Sequence, residues 1–121
     1  MTINVTAPNA TITVIAGQPL IVTLNDSSGA HVVVIAYIAG LPPINHPFIY
    51  GQGSLQFPIP ALASGTYACA FSIQVFLSDA VTGTYDDQML VNGVLAATAN
   101  GSLGAGATSD SGYGLFNLVV K

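Results

Sequence analysis

The sequence predicts an all-β protein, a two-sheet antiparallel β-sandwich of about eight or nine strands, with Ig-like and jelly-roll arrangements both open. Three observations carry that expectation. Apolar side chains alternate with period two along much of the chain, and no 3.6-residue apolar stripe persists for two turns. The residues that usually cover helix surfaces are nearly missing: there is no Glu, no Arg, and a single Lys, Lys121. Turn signals rich in Gly, Pro, Asn, Asp and Ser separate the alternating segments at short intervals. At 121 residues the chain is expected to form one domain, 1–121, large enough for one core without metals or disulfides.

Taken in order, Ile3, Val5 and Ala7 share one face of an extended segment. Ile12 and Val14 share a second face, and Leu20, Val22 and Leu24 a third. Breaks follow at Ala16-Gly17-Gln18-Pro19 and at Asn25-Asp26-Ser27-Ser28-Gly29. Residues 32–38 are apolar on both faces, so both faces need cover. The run Leu41-Pro42-Pro43-Ile44-Asn45-His46-Pro47-Phe48-Ile49-Tyr50 reads as a proline-stiffened loop. It presents Asn45, His46, Phe48 and Tyr50 as a candidate ligand-binding surface, the competing structural role being to cover an open end of the sandwich.

Past Ala63-Ser64-Gly65, the longest strand is expected over 66–77. Tyr67, Cys69, Phe71, Ile73, Val75 and Leu77 point one way, and small or weakly polar residues point the other. A further break runs from Ser78 to Gly83. Asn92-Gly93 then predicts a two-residue type I′ hairpin that sets Leu90 opposite Leu95, because both turn positions tolerate φ > 0. Residues 101–114 read as a flexible loop rich in Gly, Ala and Ser before a last strand. Cys69 has no disulfide partner, being the only cysteine, and is expected as a buried apolar thiol.

Charged residues make up 5% of the chain, against roughly 25–35% on an ordinary soluble surface. Nucleic acid and anionic membrane surfaces are therefore not expected as partners, since both are held by several Lys or Arg. Membrane insertion by a helix is not expected, because the longest apolar run, 32–39, is strand-length and short of the ~18 residues required. No signal peptide is expected either, because residues 2–6 alternate and lack a basic flank. Four Asn-x-Ser/Thr triplets, at Asn4, Asn9, Asn25 and Asn100, favour an extracellular or cell-surface location.

No motif assembles a nucleophile, an acid–base pair or a cofactor cradle, and His31 and His46 lack metal-ligand spacing, so no enzyme is expected. Asp79, Thr84 and Asp87 form a candidate Ca²⁺ set, since oxygen ligands suit that hard cation. Over residues 79–88 the chain is similar to the calcium loop of small galactose-binding bacterial lectins, in which an Asp, a Thr and two adjacent Asn bind ion and sugar. Asp79, Thr84, Asp87 and Gln88 take the matching positions. The spacing departs by one residue, Asp-Gln replaces the Asn pair, and ten residues do not assign a family.

The leading expectation is therefore a non-catalytic structural subunit that associates with other copies of itself as a homo-oligomer or extracellular filament. The alternative is a small carbohydrate-binding lectin, with glycan as partner and Ca²⁺ as its conceivable ion. All five acids are expected in turns or loops, with strands bare of charge. Terminal segments 2–7 and 113–120 are expected to be able to add to a neighbour's sheet edge.

Overall fold

The computed structural model describes residues 3–48, 53–77, 83–103 and 106–121. Nine strands carry the fold: β1 (Thr11–Val14), β2 (Leu20–Asp26), β3 (His31–Ile38), β4 (Ile44–Phe48), β5 (Gly53–Ile59), β6 (Gly65–Phe76), β7 (Thr84–Val91), β8 (Val94–Ser102) and β9 (Ser109–Val120). A five-stranded sheet has the order β1-β9-β6-β3-β4, and a four-stranded sheet the order β5-β2-β7-β8. The fold is the expected β-sandwich, with no helix among the described residues. One ladder departs from the antiparallel expectation: β1 runs parallel to β9. Only β3–β4 and β7–β8 are hairpins within one sheet; every other connection between successive strands passes from one sheet to the other.

Alternation sets the core. Along β6 the expected inward set holds, with Cys69, Phe71, Ile73 and Val75 buried. They meet Leu20, Val22 and Leu24 of β2 and Met89 and Val91 of β7 in one apolar cluster. At about 25 cal/mol per Å² of apolar area removed from water, this interior supplies the main stabilising term. The hairpin between β7 and β8 also forms as expected: Asn92 (φ 48°) and Gly93 (φ 80°) both take positive φ, and Leu90 faces Leu95. A bulge between Met89 and Leu90 adjusts the register farther along.

Four expectations change. Residues 44–48 are not loop but strand β4, an edge strand that tolerates Pro47 because one side of it needs no ladder bond. The last strand starts at Ser109, inside the stretch expected to be flexible, so Gly112 and Gly114 are strand residues. They are glycines because residues 3–5 pass directly over them. A side chain at Gly112 would strike the Ile3 backbone, and one at Gly114 would come within 2.7 Å of Val5 Cγ1. The terminal segments are likewise committed within the chain. Ile3 is buried and its N–H donates to the Ser111 carbonyl at 2.9 Å, while Thr6 and Thr98 exchange backbone bonds of 2.8 and 2.9 Å. β9 lies between β1 and β6 and offers no free edge. Finally, Asp26, Asp86, Asp87 and Asp110 all lie in strands, and Asp79 falls outside the described residues.

Candidate functional site

Strand register places the outward side chains of the five-stranded sheet in rows. Tyr37, Ala70 and Leu115 form one row across β3, β6 and β9, and Ile35, Ser72 and Tyr113 the next, with Asn45 of β4 beyond Ile35. Val33, Gln74 and Ser111 follow on one side; on the other, Ala68 and Asn117 lead to Thr11 of β1. No Asp, Glu, Lys or Arg points outward from the strands of this face among the described residues; Lys121, one residue past Val120, is exposed at its margin. Tyr113 and Leu115 project from the face with 68% and 66% of their surface exposed, and Tyr37 with 40%. Beside Leu115 lies a hollow of about 320 Å³ lined by Ala10, Ala68, Cys69, Leu115, Phe116 and Asn117. Protruding apolar groups and a small-residue hollow therefore share one face. At about 4.8 Å between strands and about 3.3 Å per residue, five strands of about eight residues project about 600 Å². That is the order of the ~800 Å² each partner of a stable dimer buries.

Charge is gathered elsewhere. Asp26 closes β2, Asp86 and Asp87 lie near the start of β7, and Asp110 lies near the start of β9; the antiparallel registers put all four at one end of the sandwich. Lys121 lies at the other end, where its backbone bonds Val14 and Ala16. Asp26 and Asp87 are cross-strand partners that face inward, 4% and 0% exposed. Ser28 Oγ is within donating distance of both, 2.5 Å from Asp26 Oδ1 and 3.1 Å from Asp87 Oδ2, and it accepts the Asp86 N–H at 3.1 Å. The turn that carries Ser28 is tied to β7, since Ser27 N–H donates to the Asp86 carbonyl at 2.9 Å and Gly29 N–H to that of Thr84 at 3.0 Å.

Burial pushes the Asp87 carboxyl up to about 9; hydrogen bonding to Asp26 and its charge add to the rise, the Ser28 hydroxyl opposes it, and the charge of Asp86 adds a little more. Asp86, one residue earlier, points outward. With Asn25, Asp26, Ser27, Gly53, Ser54 and Gln88 it lines a cleft of about 250 Å³ at the acidic end of the four-stranded sheet. Within the cleft Asn25 Nδ2 donates to Gln88 Oε1 at 3.3 Å, and Ser27 Oγ to Asp86 Oδ2 at 3.3 Å.

The residues singled out from sequence are only partly brought together. His46 and Phe48 share the inner side of β4, with ring centroids 4.7 Å apart, and His46 lies 6.2 Å from Phe57 of β5. Asn45 points to the outer face, and Tyr50 lies outside the described residues. This aromatic cluster bridges the two edge strands β4 and β5. Thr84 and Asp87 point to opposite faces of β7, Thr84 exposed and Asp87 buried, and Asp79 lies outside the described residues. Among the described residues no three His, Cys, Asp or Glu gather as a metal site. Cys69 is buried, and burial pushes its thiol up to about 11, against any nucleophilic use.

Sequence reasoning missed the pairing of Asp26 with Asp87 and the part Ser28 plays in it. Adjacent Asp86-Asp87 was the one local signal, since neighbours on a strand must point to opposite faces. No protein-family model matches the chain, and no curated protein matches it.

Proposed function

We propose that this chain is a non-catalytic structural subunit that associates with copies of itself through the outer face of its five-stranded sheet, as a homo-oligomer or filament outside the cell. The observation that carries the reading is that this face holds Tyr37, Tyr113 and Leu115 in the open, with no charged side chain pointing outward from its strands among the described residues. Large apolar side chains standing in the open on a face without charged strand residues favour a partner surface. A second copy is the occupant that fits, because the same face carries both the projecting Leu115 and the hollow floored by Ala68. A two-fold pairing requires that kind of self-complementarity.

Such a pairing closes a dimer. Extension into a filament needs a second surface, and Ile21 and Val94 of the four-stranded sheet are exposed toward the Lys121 end of the sandwich. Persistence outside cells is favoured by the lack of Arg and of any Lys before Lys121, which leaves trypsin-like proteases no internal site. Light scattering over a wide concentration range, combined with negative-stain microscopy, tests the proposal. Dimers or higher assemblies are expected, and a stable monomer at high concentration removes it.

A second reading, a small carbohydrate-binding module, is favoured by the cleft beside Asp86. Asn25, Ser54, Asp86 and Gln88 offer the carboxylate, carboxamide and hydroxyl groups that bond sugar hydroxyls. A glycan array run with and without calcium tests it, and silence in both arms removes it.

A further inference from the structure

We propose that Asp26, Ser28 and Asp87 form a buried proton-binding site, so that the folded subunit retains one carboxyl proton at neutral pH and base unlatches this end of the sandwich. Counting hydrogens leads there. Ser28 Oγ has two carboxylate oxygens within hydrogen-bond distance, at 2.5 and 3.1 Å, and its acceptor side already takes the Asp86 N–H. A hydroxyl carries one hydrogen and serves one of those oxygens. The other close contact requires a hydrogen on a carboxyl.

The remaining oxygens say the same. Asp26 Oδ2 and Asp87 Oδ1 are buried and have no hydrogen-bond partner among the described residues. Two ionised carboxylates side by side without donors would repel in a medium where neither is solvated. One proton held by the pair removes that repulsion. A metal cation fits less well, since calcium takes about six to eight oxygens and, among the described residues, three present side-chain oxygens here.

Other titratable groups at this end are few. β7 adds Asp86 on its outer side and Tyr85 on its inner side, β9 adds Asp110 and β3 adds His31. The phenol of Tyr85 is pushed up by burial and then by the charge of Asp110, so it ionises above the range that matters here. Opposite Asp87 on β8 stands Ala99, and opposite Asp26 on β5 stands Gly53, neither of which titrates. Asp79 lies outside the described residues.

The linkage has a definite sign. An unfolded Asp87 releases its proton near its ordinary value of 3.8, whereas the folded chain holds it up to about 9. Between those values the native state binds a proton that the unfolded state does not. Stability is therefore present in full below about pH 4, declines through the window, and levels off above about pH 9. With one proton at stake, the folded-to-unfolded ratio falls by up to about tenfold per pH unit.

Denaturant titrations of the full chain and of Asp87→Asn between pH 4 and pH 9 test this. The wild-type midpoint is expected to fall as pH rises, and the variant to run nearly flat, because Asn supplies a donor in place of the proton and does not titrate. His31, Asp86 and Asp110 are present in both proteins and cancel in the comparison. A wild-type midpoint that is level or rises, or a variant that keeps the wild-type slope, overturns the proposal. Carboxyl carbon NMR on the wild type answers independently of whether the variant folds. One protonated carboxyl between Asp26 and Asp87 is expected at pH 7, and two ionised ones overturn it.

Discussion

The outer face of the five-stranded sheet and the acidic end of the sandwich handle charge in opposite ways. Across the face, the described side chains from β1 to β4 carry none, and two of the largest, Tyr113 and Leu115, stand in solvent. At the end, Asp26, Asp86, Asp87 and Asp110 crowd together, and two of them are buried. Ordinarily the arrangement is reversed: carboxylates sit on open faces, where water solvates them and they keep copies apart, and apolar groups go inside. The contrast teaches that scarcity of charge is not uniform dilution. Charge is missing from the strands of the broad face, and part of what remains is buried at one end of the sandwich.

Restoring charge to the face should have the largest effect. In the double variant Tyr113→Asp/Leu115→Asp each copy would bring two carboxylates into a symmetric contact, and burying an uncompensated charge costs several kcal/mol. Association is expected to weaken by about three orders of magnitude or more, which corresponds to about 4 kcal/mol. Thermal stability of the monomer should move little, because both side chains are already exposed. Sedimentation velocity beside a melting curve reads the two quantities apart. An unchanged oligomer would move the interface elsewhere, to the Ile21 and Val94 surface or to the strand edges.

Local patterns were legible in the sequence and distant pairings were not. Asn92-Gly93 announced its hairpin because the two residues that must take positive φ are also the two that form the turn. The alternation from Tyr67 to Val75 announced β6 because its inward side chains are uniformly apolar. β4 and β5 were hidden by Pro47 and Pro58, which disguise edge strands as loops. β9 was shortened because Gly112 and Gly114 look like loop residues until Ile3 and Val5 are placed over them. The absence of charge could be read from composition alone. That Tyr37, Ala70 and Leu115 form one row depends on the registers of two ladders, and so does the meeting of Asp26 with Asp87. No spacing rule supplies a register between strands so far apart in the chain.

The acidic end offers the next effect in size. Ser28→Ala removes the hydroxyl that serves both buried carboxyls and leaves the Asp86 N–H without its acceptor. Losing a donor to buried acceptors costs about 1–3 kcal/mol, so the folded state should weaken by that amount near neutral pH. The hydroxyl also holds the Asp87 carboxyl down against burial. Without it Asp87 should keep its proton to still higher pH, and the window over which stability declines should extend upward. A variant that is weaker by a constant amount, with the same window, would show that Ser28 only ties the turn to β7 and does not act on the proton.

The smallest effect separates two neighbours. Asp86 and Asp87 are adjacent on β7, yet one points to solvent beside the cleft and the other is buried. The charge of Asp86 adds to the rise of the Asp87 carboxyl, as the last and least of its causes. In Asp86→Asn that contribution vanishes: the carboxyl should come down slightly and the decline of stability should stop at a lower pH. Asn retains an oxygen that can accept from Ser27, so little else is lost at this exposed position. The gain is expected above about pH 9 and to stay within about 0.5 kcal/mol, with no change at lower pH, where folded Asp87 keeps its proton in both proteins. Added salt should shrink the gain, because the outer partner is open to screening by ions. If Asp86→Asn instead flattened the pH dependence as fully as Asp87→Asn, the titrating carboxyl would be the exposed one. The buried pair would then be ionised or replaced by some other arrangement of hydrogens.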